Sequence, residues 1–289
     1  MSSSEFSQSL EYISFRSSIP LRTILVESNT EKGWLVYDSG PKTVKCPLIC
    51  LPPICGTADT FFKQILGLSA KGIRVISAEH PPYWSAEDWC AGFKKLIDYL
   101  ELDKVHLFGA SLGGFLAQKF AEYTSNCARV ASLILCNTFS DTSVFHYNDK
   151  AAIFWMMPSL VLKKMIMANF PQEHNDKRII DSIDFMVEKL DSLNQQDLSS
   201  RLTINCTNCS IDTSLLTDVQ AVTIIDVFDK CVLSSPVRER LYKFYPNAKL
   251  AHLKTGGNFP YLSRSDEVNL HLQIHLRKFY GTELSAYDF

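Results

Sequence analysis

The sequence predicts an α/β fold: a mostly parallel central sheet flanked by helices, with a helical cap insertion. Three observations carry that reading. Short apolar strand patterns alternate with amphipathic helical patterns over most of the chain, the mark of parallel strands joined by crossovers. The alternation lapses between about residues 140 and 217, where helical patterns occur without a clean buried strand. A glycine-flanked serine, Gly109-Ala110-Ser111-Leu112-Gly113, falls between a β run and a helical run.

The elements follow in order. Two β-branched runs, Leu21–Glu27 and Trp34–Asp38, read as a hairpin. CPLICLPP (46–53) is a buried strand, Phe61–Leu68 a helix and IRVISA (73–78) the next strand. Between 85 and 100, Phe93, Leu96, Ile97 and Leu100 share one helical face. VHLFGA (105–110), GGFLAQKFAEY (113–123) and SLILCN (132–137) continue as strand, helix, strand. Within the interruption, Ile153–Ala168 and Ile179–Leu193 have helical spacing. The β/α rhythm returns with VTIIDVFD (222–229), a helix near 234–245, KLAHLK (249–254) and a closing helix around 264–279. The chain therefore divides into an N-terminal tail (1–19), a core (20–139 and 218–280), a cap (140–217) and a C-terminal tail (281–289).

Composition narrows the function. Of 289 residues, 46% are hydrophobic and 21% charged, ordinary globular values with ample material for a core. A net charge of −2 without a basic run excludes an electrostatic nucleic-acid binder. The polar start, MSSSEFSQSLEYISFR, lacks the apolar stretch of a signal peptide, and Ala151–Leu162 is too short to span a bilayer. Nine cysteines, an odd number and several of them inside strand patterns, read as buried thiols in a reducing, cytoplasmic setting. Cys206 and Cys209 form a lone CxxC without the second pair a zinc site needs, so no metal and no cofactor is expected. Gly109, Gly113 and Gly114 match neither a dinucleotide nor a phosphate loop.

The serine turn has a mechanical rationale. A serine held between strand and helix in a sharp turn adopts a strained backbone, and side chains at Gly109, Gly113 and Gly114 would collide with adjacent elements. With CPLICLPPICGTADTF before it, and TIIDVFDK and HLKTGGNFPYL after it, the arrangement resembles the α/β-hydrolase superfamily, and in particular its maspardin family. The resemblance covers roughly residues 10–280. Carried over residue by residue, it places the nucleophile at Ser111 and the acid at Asp229, with Asp226 a weaker candidate inside the strand. The position of the base falls at Asn258, in Thr255-Gly256-Gly257-Asn258-Phe259-Pro260. The oxyanion donors would be the N–H groups of Ile54 and Leu112.

Asparagine cannot serve as the base. Its amide has no useful basicity, whereas an imidazole titrates near neutrality and can take and return the serine proton. Loss of such a base costs on the order of 10⁶ in turnover in a serine protease. The base follows the acid in this fold. After Asp229 come His252, inside a strand pattern, and His271 and His275, on the closing helix. His106 precedes the serine turn and reads as structural. Pro52-Pro53 also stands where hydrolases commonly have His-Gly, and proline has no N–H to donate.

The resemblance implies a binding protein rather than a hydrolase, cytosolic and partly on endosomal and trans-Golgi membranes. It also implies two partners, the cytoplasmic tail of a T-cell co-receptor and an aldehyde dehydrogenase. Two alternatives remain: an esterase or lipase with an unorthodox base, and a small-molecule receptor using the old pocket. The cap sequence AAIFWMMPSLVLKKMIMANF reads as a packed helix. The sharper alternative is an exposed surface for a partner or a membrane face, with Trp155, Met156 and Met157 foremost. The loop His80-Pro81-Pro82-Tyr83-Trp84 could contribute to either.

Overall fold

A computed structural model describes residues 4–26, 33–145, 153–170 and 176–288. Eight strands form one sheet: β1 (Arg22–Ile24), β2 (Trp34–Ser39), β3 (Leu48–Leu51), β4 (Val75–Glu79), β5 (Val105–Ala110), β6 (Val130–Cys136), β7 (Ala221–Val227) and β8 (Lys249–Leu253). Their spatial order is β1-β2-β4-β3-β5-β6-β7-β8. The hairpin of β1 and β2 joins antiparallel to β4, and every other pairing is parallel. Strand order reverses around β3, so a crevice opens beyond the carboxyl ends of β3 and β5, where open α/β sheets place their ligand sites.

The helices are α1 (Glu5–Gln8), α2 (Leu10–Ser18), α3 (Phe62–Ser69), α4 (Ala86–Tyr99), α5 (Leu112–Tyr123), α6 (Ser159–Met167), α7 (Lys177–Ser192), α8 (Gln195–Cys206), α9 (Ser235–Phe244), α10 (Pro260–Ser263) and α11 (Ser265–Leu276). The central strands are buried on both faces, as their unbroken apolar runs require. Alternate β5 residues feed two cores. Phe108 points to the core shared with α3 and α11, and Leu107 to the core shared with α4 and α5.

Helices α6, α7 and α8 fill the interruption between β6 and β7, over the carboxyl edge of the sheet. The sequence pattern anticipates the first two and misses α8. Only three of the eight buried positions of α8 are large aliphatics (Leu198, Leu202 and Ile204), and four are Ser199, Ser200, Arg201 and Asn205, so hydropathy shows no stripe.

Both segments read as tails are built into the fold. From residue 5 onward the N-terminal segment forms α1 and α2, with Phe15 fully buried against Tyr37 and Phe62. Tyr12 donates a hydrogen bond to the buried Asp59 carboxylate, which also pairs with Lys189 of α7 (3.1 Å) and Arg16 (3.2 Å). Ser4 and Ser7 hydroxyls donate to Glu188 of α7 (2.9 and 2.5 Å). At the other end, the Ala286 carbonyl accepts from Arg74 N–H (3.0 Å) and Asp288 N–H donates to the Gly72 carbonyl (3.1 Å). Hydropathy hides these contacts because each rests on a single aromatic, polar or backbone group whose partner is distant in sequence.

Candidate functional site

Five strand ends converge on the site. Ser111 follows β5 with φ +49° and ψ −117°, a region that non-glycine residues avoid. The turn closes tightly: Ser111 N–H donates to the Cys136 carbonyl (3.1 Å) and Thr138 Oγ1 donates to the Ser111 carbonyl (2.5 Å). The glycines permit this. A Cβ on Gly113 would stand 2.2 Å from the Leu51 carbonyl oxygen, one on Gly109 2.4 Å from the Gly113 oxygen, and one on Gly114 2.6 Å from Thr138 Oγ1. The strained elbow expected at this motif is present.

Leu112 opens α5, so its N–H has no acceptor one turn back along a helix. Ile54 lines the adjoining cavity. Its carbonyl and that of Gly56 accept from Arg201 Nη1 (3.2 and 2.6 Å), while Arg201 Nη2 pairs with Glu79 (3.0 Å). The second Glu79 oxygen accepts from Ala58 N–H (2.9 Å). Arg201 is 1% exposed, so a desolvated guanidinium from the cap fixes the Ile54–Gly56 loop. Burial raises the pKa of Glu79, partly opposed by Arg201. Sequence reasoning missed this pair because its two members lie far apart in the chain.

Asp229 follows β7, and its carboxylate accepts from Gly256 N–H (2.9 Å) and Gly257 N–H (3.1 Å). Asp229 thus braces the loop that carries Asn258. Asp226, the weaker candidate, lies within β7, bonds Tyr242 (2.5 Å) and has its carboxyl pKa raised by burial. Asn258 Oδ1 accepts from Val232 N–H (2.7 Å), while its buried Nδ2 has no partner among the described residues. That N–H donor of Val232 fixes which end of the amide is oxygen.

Sequence reasoning passed over Asn137. It follows β6 with φ +43°, a backbone asparagine tolerates, and is 6% exposed. Its Nδ2 donates to the carbonyls of Gly257 (3.0 Å) and Asn258 (3.3 Å), leaving Oδ1 buried without a partner among the described residues. A polar residue ending an apolar strand beside the elbow was the only available signal.

No imidazole among the described residues bonds Ser111. His252 lies in β8 against Tyr242 (3.2 Å). His275 sits between Thr223 Oγ1 and Ser132 Oγ (2.7 Å each), and His106 bonds the same Ser132 (2.7 Å) and the Leu284 carbonyl (2.8 Å). His80 packs among Trp34, Tyr83 and Trp89. His271 is half-buried on α11, and His146 and His174 lie outside the described residues.

A cavity of about 120 Å³ stands over Ser111, roofed by cap residues such as Ile166, Phe170 and Leu202. Its polar lining consists of Ser111, Tyr261 and four asparagines, and no charged side chain lines it among the described residues. Nor do the described residues hold a metal-ligating cluster of three or more His, Cys, Asp or Glu. Cys206 is buried and Cys209 half-buried, and neither forms a disulfide among the described residues.

The cap sequence divides between its two readings. Phe154, Leu162 and Ile166 are buried, whereas Trp155, Met156 and Leu160 are 60%, 64% and 62% exposed; Met157 is half-buried. Trp84 lies beside Trp155 across a shallow groove.

Residues 47–203 match the family described as alpha/beta hydrolase fold. Among solved structures, a thermophilic esterase from Thermogutta terrifontis superposes with a TM-score of 0.70 at 18% identity, covering 90% of this chain and 98% of that one. A carboxylesterase from Nitrososphaera gargenis gives 0.68 at 16%, covering 90% and 100%. At such identities the likeness is one of fold. Maspardin from Danio rerio is 56% identical over 98% of this chain and 90% of its own length. Maspardin from Homo sapiens is 55% identical over 98% and 92%. With an α/β-hydrolase sheet, a strained serine elbow and this identity over nearly its whole length, the chain belongs to the maspardin family.

Proposed function

We propose that this protein is a catalytically silent α/β-hydrolase scaffold, a protein-binding adaptor or regulatory factor of the cytosol and of endosomal and trans-Golgi membranes. One observation supports the reading: Asn258, which stands where the family resemblance puts the base, has its oxygen committed to Val232 N–H. An amide there cannot accept the Ser111 proton. Without that acceptor the barrier rises by about 8 kcal/mol if the loss resembles that in a serine protease.

The exposed apolar group of Trp155, Met156 and Leu160, with Met157 at its margin, supports the adaptor role, since contiguous apolar surface marks interaction sites. By family resemblance its partners are the cytoplasmic tail of a T-cell co-receptor and an aldehyde dehydrogenase. No helix among the described residues is long and apolar enough to cross a membrane, so the membrane association proposed here is peripheral.

One feature favours a second reading, a serine esterase with a relocated base: the elbow keeps its strain at Ser111. A fluorophosphonate probe decides between them. The silent scaffold stays unlabelled, as does Ser111→Ala, while Asn258→His gains labelling. Rapid labelling of the unaltered protein that Ser111→Ala abolishes would establish the esterase. Binding of purified aldehyde dehydrogenase should weaken at least about tenfold with Trp155→Glu, and unchanged binding rejects that surface.

A further inference from the structure

We propose that helix α1 is a charge-operated strap on the cap, and that a phosphoryl group on Ser7 releases it. The device is independent of whether Ser111 is catalytic and of which partner the protein binds.

Three donors converge on one carboxylate oxygen. Glu188 Oε2, on α7, accepts from Ser7 Oγ (2.5 Å), Ser4 Oγ (2.9 Å) and Ser4 N–H (3.2 Å). Burial raises the Glu188 pKa, but these donors outweigh it and carry the value below the ordinary one, so the strap is fastened to an ionised group. Phe6 supplies the apolar contact. Its ring stands edge-on to Phe62 of α3 (centroids 6.5 Å apart) and Phe185 of α7 (6.1 Å), with Lys63 Nζ 4.3 Å from its centre. The Glu5–Lys177 pair (3.0 Å) is exposed and adds little. A helix of four residues cannot sustain itself, so these contacts keep α1 in place. Helix α2 is anchored separately, by the fully buried Phe15 and by Tyr12 on Asp59 and Lys189. A break at Ser7 therefore frees α1 and leaves α2 seated.

Position singles out Ser7. Ser4 and Ser9 cap α1 and α2, accepting from Ser7 N–H and Tyr12 N–H, and Ser4 is buried. Ser7 is half-buried and its hydroxyl caps no helix. Phosphoryl transfer from ATP forms a bond between Ser7 Oγ and the γ-phosphorus and breaks the bond from that phosphorus to the β–γ bridging oxygen; ADP leaves with the hydroxyl proton released. The product has lost the donor to Glu188 and sets a charge of about −1.5 to −2 against that carboxylate. Glu5 on the same helix, and Asp181 of α7 within electrostatic reach of it, have the same sign. Lys189, 3.7 Å from the other Glu188 oxygen, is committed to Asp59 (3.1 Å). Lys63 and Lys177 are the cations placed to oppose release. Withdrawal of Phe6 uncovers Phe62 and Phe185, both fully buried beneath it, and so opens an apolar face between core and cap under control of one modification.

The test uses the full-length protein, unmodified or with phosphoserine installed at position 7, each with Glu188 intact and with Glu188→Gln. Hydrogen exchange read by mass spectrometry over residues 4–12 and over α7 reports the strap, and exchange over β5 is the control for an intact sheet. The Gln8 and Ser9 amides bond the Ser4 and Phe6 carbonyls. With Glu188 present, the phosphate should speed their exchange at least about tenfold. With Glu188→Gln it should change the rate less than about threefold, because the amide introduced there donates to the phosphate instead of repelling it. Salt at about 1 M, where the screening length is about 3 Å, should shrink the effect in the Glu188 protein. No acceleration, or an equal one in both backgrounds, overturns the charge-operated strap and leaves Ser7 a structural hydroxyl. Slower exchange overturns it too, since the phosphate would then fasten α1 through Lys63 or Lys177.

Discussion

Asn258 differs from an imidazole less in its size than in the proton it cannot hold, and its surroundings are otherwise prepared for a base. Asp229 accepts from two backbone N–H groups, which leaves lone-pair capacity on a carboxylate that offers about four sites. A histidine at position 258 would have that acid beside it and a serine still strained in its turn. We expect Asn258→His to raise fluorophosphonate labelling by about 10² to 10⁴, the range of general-base catalysis. The sign of its pH dependence follows from the new base, which must be neutral to accept a proton: labelling rises with pH through about 6.5. Rates measured from about pH 5 to 8 check this, and a flat profile rejects the histidine as base. The glycines of the elbow set a second expectation. With its Cβ 2.2 Å from a backbone carbonyl, Gly113→Ala forces strand β3 and helix α5 apart, at a cost of about 3 kcal/mol or more in urea unfolding.

Helix α8 shows how an element can be structural without being legible. Its buried arginine ties the oxyanion loop to the cap, and Glu79 at the end of β4 completes the pair. Arg201→Met would leave Glu79 buried without its cation, and breaking a buried pair from one side costs about 3–5 kcal/mol. Adding Glu79→Gln should restore a large part of that loss, because the uncompensated charge then disappears. Equal stability of the single and double variants in denaturant titration would show that Glu79 is not the source. The same reasoning explains what could be read from sequence. Strands β3, β5, β6 and β7 were legible because burial on both faces leaves nearly continuous apolar runs. The places of Ser111, Asp229 and Asn258 in turns after β5, β7 and β8 were legible because the strand patterns before them were. Helix α8, the N-terminal helices and Asn137 were not, because they are held by buried polar groups whose partners are distant in sequence. Hydropathy registers an arginine as surface even where, as at Arg201, the fold encloses it.

Acid sensitivity belongs to the whole molecule, because its buried histidines lie at opposite ends of the sheet and act together. His80 is held in an aromatic cluster, and burial lowers its pKa to about 3. At the other end His106 and His275 share the Ser132 hydroxyl, and burial lowers them to about 4 and about 3. Above about pH 6.5 each is neutral whether the chain is folded or not, so none affects the pH slope there. Below it the unfolded chain takes up a proton at each position and the folded chain does not, so stability falls as pH falls. The loss runs from about 6.5 down to the lowered values, at up to about 1.4 kcal/mol per pH unit for each histidine. Asp59, lowered in pKa by Lys189 against an opposing burial effect, adds in the same direction; Glu79 and Asp226, raised by burial, act oppositely. Subtraction isolates one histidine from this sum. His275→Gln retains groups able to bond Ser132 and Thr223 but removes the titration, so unfolding free energy measured between about pH 6 and 4.5 should lose about 1.4 kcal/mol per unit of slope. An unchanged slope would mean that His275 is protonated in the folded protein, with Ser132 and Thr223 accepting from it.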